Sequence, residues 1–192
     1  LGVDSLSGLS VAIQGLGHVG YYLARYLVAE NVRVFGADVN QANLERAVND
    51  LGVAPVCGGD VLGLEVDVLA PCAMGAVLNS QSVQDIRAGI IAGAANNQLA
   101  TDDDGSNLQD RGILYCPDFL INAGGIVDVY HQRTGSSEAT RRSHIQRIET
   151  TLAEVLRRAD ECHLQTRVIA EQLAEEILRD AQAATAPLAA VG

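Results

Sequence analysis

Short apolar runs alternate with helical patterns over most of this chain. Val11-Ala12-Ile13 is the first β-prone run and ends at Gly15. A helical pattern follows at once, with Val19, Leu23, Tyr26 and Leu27 expected on one buried side. Val32-Arg33-Val34-Phe35 is the second β-prone run and ends near Asp38. Residues 41–51 set Leu44, Ala47, Val48 and Leu51 at helical spacing. Ala54-Pro55-Val56-Cys57 is a weak strand signal; Val66-Asp67-Val68-Leu69-Ala70 is a better one, expected to stop at Pro71. A short helix is expected over 83–88, then strands at Ile90-Ile91-Ala92 and over 112–116, the last stopped by Pro117. Such alternation predicts a parallel sheet covered on both faces.

The last third changes character. Ile145, Ile148, Leu152, Val155, Leu156 and Ala159 form one long helical stripe over 137–162, and Val168, Ile169, Leu173, Ile177 and Leu178 form a second over 166–184. Residues 186–192 are expected to fray. The expected fold class is α/β: a Rossmann-like, doubly wound, mostly parallel sheet with a C-terminal helical extension. Residues 1–136 form its core and 137–192 the extension, packed on the same domain.

Composition narrows the function. A net charge of −11 argues against binding to nucleic acid or to an anionic membrane. No apolar run approaches the ~18 residues needed to cross a bilayer. The N-terminus lacks the basic flank and apolar core of a signal peptide. A start at Leu1 rather than Met fits a piece cut from a longer protein. All 13 basic residues are arginines, and lysine is absent. Cys57, Cys72, Cys116 and Cys162 are widely spaced, so neither zinc binding nor a disulfide framework is expected, and a reducing cytoplasm fits. Three of the four sit in apolar or strand-like surroundings, where a small buried thiol is the default.

The junction between the first run and the first helix carries the chemistry. Gly15, Gly17 and Gly20 give the spacing G-x-G-x-x-G. Gly15 permits the turn, Gly17 admits a pyrophosphate to the backbone, and Gly20 lets the helix pack close to the strand. The helix start offers free N–H groups and partial positive charge to phosphates. Asp38 follows Gly15 by 23 positions, close to the ~20-residue offset of the acid that binds the adenosine ribose. A carboxylate there repels a 2′-phosphate, and no arginine directly follows it, so NAD is expected over NADP. His18 lies inside the loop, within reach of a phosphate but equally readable as an exposed helix-start side chain.

Other strand ends are candidates too, because ligands of parallel sheets bind beyond the carboxyl ends of strands. They are Ala70-Pro71-Cys72-Ala73, Ala95-Asn96-Asn97 and, after a short link, Asn122-Ala123-Gly124-Gly125. Asparagines there suit a carboxamide or carboxylate, and they also serve as Asx-turns and helix caps. Cys72 has no histidine nearby in sequence and an apolar setting, so a structural thiol is expected. His131, His144 and His163 lie in helical segments with no evident acid–base partner. Asp102-Asp103-Asp104-Gly105 lacks the ligand spacing of a calcium loop and is expected to be a solvated turn. No metal site is expected.

Taken together, GLGHVG, LAPCAMGAVLN, IIAGAANNQLA, RGILYCPDF and INAGGIVDV resemble the NAD-binding domain of the Glu/Leu/Phe/Val amino-acid dehydrogenases. The segments come in the family's order, and the likeness is greatest to the leucine, valine and phenylalanine members. The resemblance implies reversible NAD-dependent oxidative deamination of a branched-chain or aromatic L-amino acid to a 2-oxo acid and ammonia. It implies a cofactor set of Gly15, Gly17, His18, Val19, Gly20, Asp38, Val39, Ala70, Pro71, Cys72, Ala95 and Asn122. Asn96 is implied to face the substrate carboxylate, with Ile126 and Val129 lining the side-chain pocket.

In that family a separate N-terminal domain supplies two active-site lysines and an aspartate. Here no lysine exists to replace them, so no catalytic residue is expected in this chain. The expected partners are the substrate, that missing domain and, for the parent protein, further copies in a homo-oligomer. The alternative is a free-standing, non-catalytic NAD-binding module or sensor.

Overall fold

The computed structural model describes residues 3–73 and 75–185. The fraying expected over 186–192 falls outside the described residues. Six strands pair in parallel: β1 (Ser10–Gln14), β2 (Arg33–Ala37), β3 (Ala54–Pro55), β4 (Val68–Pro71), β5 (Ile90–Ile91) and β6 (Leu114–Tyr115). Their order is β3-β2-β1-β4-β5-β6. The order reverses between β1 and β4, which opens a crevice beyond their carboxyl ends.

Strand alternation divides the core between two faces. Val11 and Ile13 of β1 pack with Val34, Ala70, Ala24 and Ala47 under α1 (His18–Ala29) and α2 (Gln41–Leu51). Ala12, one residue out of phase, joins Leu69, Ile91, Leu78, Ile86 and Leu108 on the other face. A 3₁₀ turn (Val61–Gly63), α3 (Ser82–Asp85) and α4 (Asp102–Asp110) cover that face. At β1 the register sets Ala12 between Phe35 and Leu69.

Four details differ from the sequence reading. Pro71 is the last residue of β4 rather than a stop: its nitrogen faces Gly93, past the last paired residue of β5, where no N–H is required. The stripe on α1 is turned, with Gly20 and Ala24 buried, Leu23 and Leu27 half-buried, and Val19 and Tyr26 54% and 63% exposed. Small residues at 20 and 24 let α1 lie close to the sheet, which rotates the larger ones outward. Asp102-Asp103-Asp104-Gly105 opens α4 instead of forming a solvated turn. Thr101 and Asp104 make a reciprocal capping box, and the three acids sit at the positive end of the helix. α3 stops at Asp85, and the Arg111 guanidinium takes up the Val83 and Ile86 carbonyls that a longer helix would have used.

After β6 the chain forms α5 (Asp118–Ile121), α6 (Gly124–Thr134), α7 (Glu138–Cys162) and α8 (Thr166–Thr185). Val155, Ala159, Ile169 and Ala170 make a third cluster with Leu120 of α5. The start of α8 is tied to the sheet edge and to α4: Thr166 Oγ1 donates to the Tyr115 carbonyl at 2.5 Å, and Gln165 Nε2 to Ser106 Oγ of α4 at 2.8 Å. His131 and His144, for which no acid–base partner is evident in the sequence, bond each other at 2.9 Å between Nε2 and Nδ1. A left-handed turn at Gly135 brings α7 across α6, and Asp128–Arg141 adds an ion pair at 2.8 Å.

At the opposite end of the sheet from the crevice, Asp67 Oδ2 accepts both the amide and the hydroxyl of Ser10 at 2.7 Å. The Ser10 hydroxyl, then its amide, hold the Asp67 carboxyl below the usual carboxylate range. A depressed folded-state pKa stabilises the fold above the unfolded value of about 3.9, and that contribution is lost as pH falls through the folded value. Asp67→Asn is therefore expected to cost about 1 kcal/mol at pH 7, with the gap to wild type shrinking toward pH 2.5. Urea melts at the two pH values check this; an equal gap at both overturns the charge-based account.

Candidate functional site

The crevice begins where β1 runs into α1. Gly15 has φ +94° and carries no Cβ where one would sit 2.7 Å from the Ala73 Cβ. A Cβ on Gly20 would overlap the Gly15 carbonyl oxygen. Gly17 is different: nothing lies within 4 Å of its missing Cβ, so that side of the backbone is open. Gly17 also N-caps α1 without any side-chain cap, and no acid occupies the first turn. By contrast α2, α4 and α7 are capped by Asn40, the Thr101 box and Ser137. The first N–H groups of α1 are left to an external acceptor, the arrangement of an anion-binding helix start.

Asp38 closes the other side of the loop. Its Oδ2 accepts the Leu16 N–H at 2.7 Å and its Oδ1 the Asn40 N–H at 2.7 Å, while Asn43 Nδ2 donates at 3.3 Å. The carboxylate therefore latches the glycine loop to the end of β2 and still faces the crevice. A cleft of about 480 Å³ lies there, lined by Gln14, Gly15, Gly17, Ala37, Asp38, Val39, Gly58, Cys72, Ala73, Gly75 and Val77.

Of the expected cofactor set, Gly15, Gly17, Asp38, Val39 and Cys72 meet in this cleft. Gly20 lies beneath the loop. Ala70, Pro71 and Ala95 are buried and do not line this cleft; the Pro71 carbonyl accepts the Ala95 N–H at 2.9 Å. His18 and Val19 are exposed at the start of α1, on a shallow face shared with Tyr22, Leu23 and Tyr26. Asn122 lies farther along the carboxyl edge, where its Nδ2 donates to Asn96 Oδ1 at 2.5 Å. Ile126 and Val129 are exposed on α6 at 74% and 53%. Ala73, read from sequence only as part of the strand end after Pro71, also lines the cleft, and sequence reasoning missed Gly75 and Val77. They come from the irregular segment after β4, whose one sequence signal was its place just past a strand end.

One of the cysteines, Cys57, differs in environment from expectation. Cys57 is exposed because β3 ends at Pro55, before reaching it, and Cys162 is exposed at the end of α7. Burial pushes the Cys72 thiol up and the Cys116 thiol up to about 11. Neither is a thiolate nucleophile at neutral pH. Among the described residues no cluster of His, Cys, Asp and Glu is arranged to hold a metal. Iodoacetamide at pH 7.5 is therefore expected to alkylate Cys57 and Cys162 well before Cys72 and Cys116. Timed peptide mass spectrometry checks the order, and early loss of Cys116 overturns it.

The sequence profile of the Glutamate/Leucine/Phenylalanine/Valine dehydrogenase family matches residues 38–186. The chain is 37% identical over 175 residues to the leucine dehydrogenase of Bacillus cereus, covering 91% of this chain and 48% of that protein. It is 41% identical over 172 residues to the L-tryptophan dehydrogenase of Nostoc punctiforme, covering 89% and 49%. The crystal structure of L-tryptophan dehydrogenase from Nostoc punctiforme superposes with a TM-score of 0.90 at 38% identity, over 93% of this chain and 54% of the other. The chain thus spans about half the length of the relatives it matches. With the parallel sheet, its reversal beside β1 and the glycine loop in place, the chain belongs to the glutamate/leucine/phenylalanine/valine dehydrogenase family.

Proposed function

We propose that this chain is the cofactor-binding half of an NAD-dependent L-amino-acid dehydrogenase. The observation that carries the reading is the uncapped start of α1, open at Gly17, beside the Asp38 carboxylate. Those features suit a dinucleotide: N–H groups for a pyrophosphate and a carboxylate for ribose hydroxyls. Gly15, Gly17 and the first turn of α1 would hold the pyrophosphate. Asp38, beside Val39, would take the adenosine ribose and oppose a 2′-phosphate. Asn122 would face the nicotinamide, and Asn96 the substrate carboxylate. Bound NAD supplies a hydride acceptor for oxidation of the amino acid at Cα.

Relatives named leucine, tryptophan and phenylalanine dehydrogenase support an L-amino acid with an apolar side chain, converted to a 2-oxo acid and ammonia. Ile126 and Val129 stand exposed on α6, where such a side chain would need a wall. They are branched and aliphatic, which favours a leucine- or valine-like substrate. Acid–base work on the attacking water needs a positioned proton carrier, worth ~10²–10⁴-fold. Within the family resemblance that carrier is a lysine, and this chain has none. We infer that a second, lysine-bearing domain completes the site, and that the assembled protein is a homo-oligomer of the cytoplasm.

Calorimetry is expected to show NAD binding at least about tenfold tighter than NADP binding, a gap of ~1.4 kcal/mol. Asp38→Ala should weaken NAD by about tenfold or more and narrow that preference. Part of the loss comes from the Leu16 N–H, which the variant releases. Equal affinity for the two cofactors in the wild type overturns the role of Asp38. The chain alone is expected to form no NADH from L-leucine, L-valine, L-phenylalanine or L-tryptophan. Measurable turnover overturns the requirement for a second domain.

A further inference from the structure

Gln98 is wholly buried, at 0% exposure, and no other polar residue in the described core is as deep. Its Nε2 donates to the Gly93 carbonyl at 2.7 Å and to the Ala95 carbonyl at 3.0 Å. Its Oε1 is buried with no partner. Methionine would fill the same space without a stranded acceptor. What glutamine adds is its two N–H donors, and both go to one turn.

That turn carries Asn96. It is gripped from outside as well: Pro71 O accepts the Ala95 N–H at 2.9 Å, and Asn97 O accepts the Ala76 N–H at 2.6 Å. Asn97 and Ala76 both hold left-handed backbone, at φ +52° and +55°, which asparagine adopts readily and alanine only when its surroundings impose it. Gly93 abuts Pro71 where a Cβ would overlap it. Inside this frame the two carbonyls on Gln98 stand on either side of Ala94, just before Asn96. From the far side of the turn Asn96 Oδ1 reaches Asn122 Nδ2 at 2.5 Å.

We propose that Gln98 is a positioning residue, which curls the turn over 93–97 so that Asn96 holds Asn122 at the nicotinamide end of the crevice. This rests on the reading of Asn122 as the nicotinamide-facing residue. Gln98 touches neither cofactor nor substrate and acts through Asn96.

The test compares two ligands on the intact chain by calorimetry: NAD, and ADP-ribose, which has the same adenosine and pyrophosphate but no nicotinamide. Gln98→Met is expected to weaken NAD about tenfold while ADP-ribose stays within about twofold, which also shows that the variant is folded. Gln98→Asn keeps an amide but draws it back by one methylene. It is expected to show the same selective loss, and it carries the test if Gln98→Met does not fold. A purely structural role would weaken both ligands alike, and that result overturns the proposal, as does no loss for either. If the wild type itself binds NAD and ADP-ribose equally, the nicotinamide role of Asn122 fails. If the wild type prefers NAD and both variants keep that preference, Gln98 alone is ruled out.

Discussion

The backbone contact between Gly15 and Gly20 is the constraint on which the cleft depends. Three residues separate β1 from α1, whose first turn lies directly on the Gly15 carbonyl. No side chain fits between them. With the helix start forced so close to the strand end, its uncapped N–H groups point over the carboxyl edge of the sheet. The same closeness explains why α1 buries Gly20 and Ala24 and exposes Val19 and Tyr26. Asp38 then fixes the loop from the β2 side through Leu16. One carboxylate thus shapes the loop and presents negative charge to the cleft.

How far this was legible in the sequence depends on whether a feature is local. The glycine spacing and the offset to Asp38 are short-range, because sterics and the length of one βαβ unit set them. The strands from β1 to β6 were visible as apolar runs. The direction of the α1 stripe was not, since helical period gives a face but not the side that the glycines draw inward. Thr101-x-x-Asp104 was readable as a capping box, and the run of aspartates obscured it. The His131–His144 bond needed the turn at Gly135 and the crossing of two helices, neither of which a sequence window contains.

The region beyond the carboxyl ends of β4 and β5 was the least legible. Gly75, Ala76, Gly93 and Asn97 matter there through backbone contacts between two irregular segments that are far apart in sequence. The tail of GAANNQL reads as a polar strand end, in which Gln98 is no more prominent than its neighbours. Its burial, and the two carbonyls it holds, exist only once β4 and β5 lie side by side.

Polar bonds of the C-terminal third hold α6 in place. This helix presents Ile126, Val129 and Tyr130 outward, at 74%, 53% and 57% exposure, and its contact with α7 includes the His131–His144 bond and the Asp128–Arg141 pair. Directional bonds of this kind fix rotation about a helix axis more tightly than apolar contact does, because geometry is lost within a few tenths of an ångström. α7 is in turn held to α8 by the Val155–Ile169 cluster and by Arg158–Glu176, and α8 to the sheet edge by Thr166. An unbroken series of contacts therefore runs from β6 through α8 and α7 to α6. It sets the outward face of α6 relative to the strands that carry the glycine loop. That face is held in a fixed orientation although Ile126, Val129 and Tyr130 are not packed in the core.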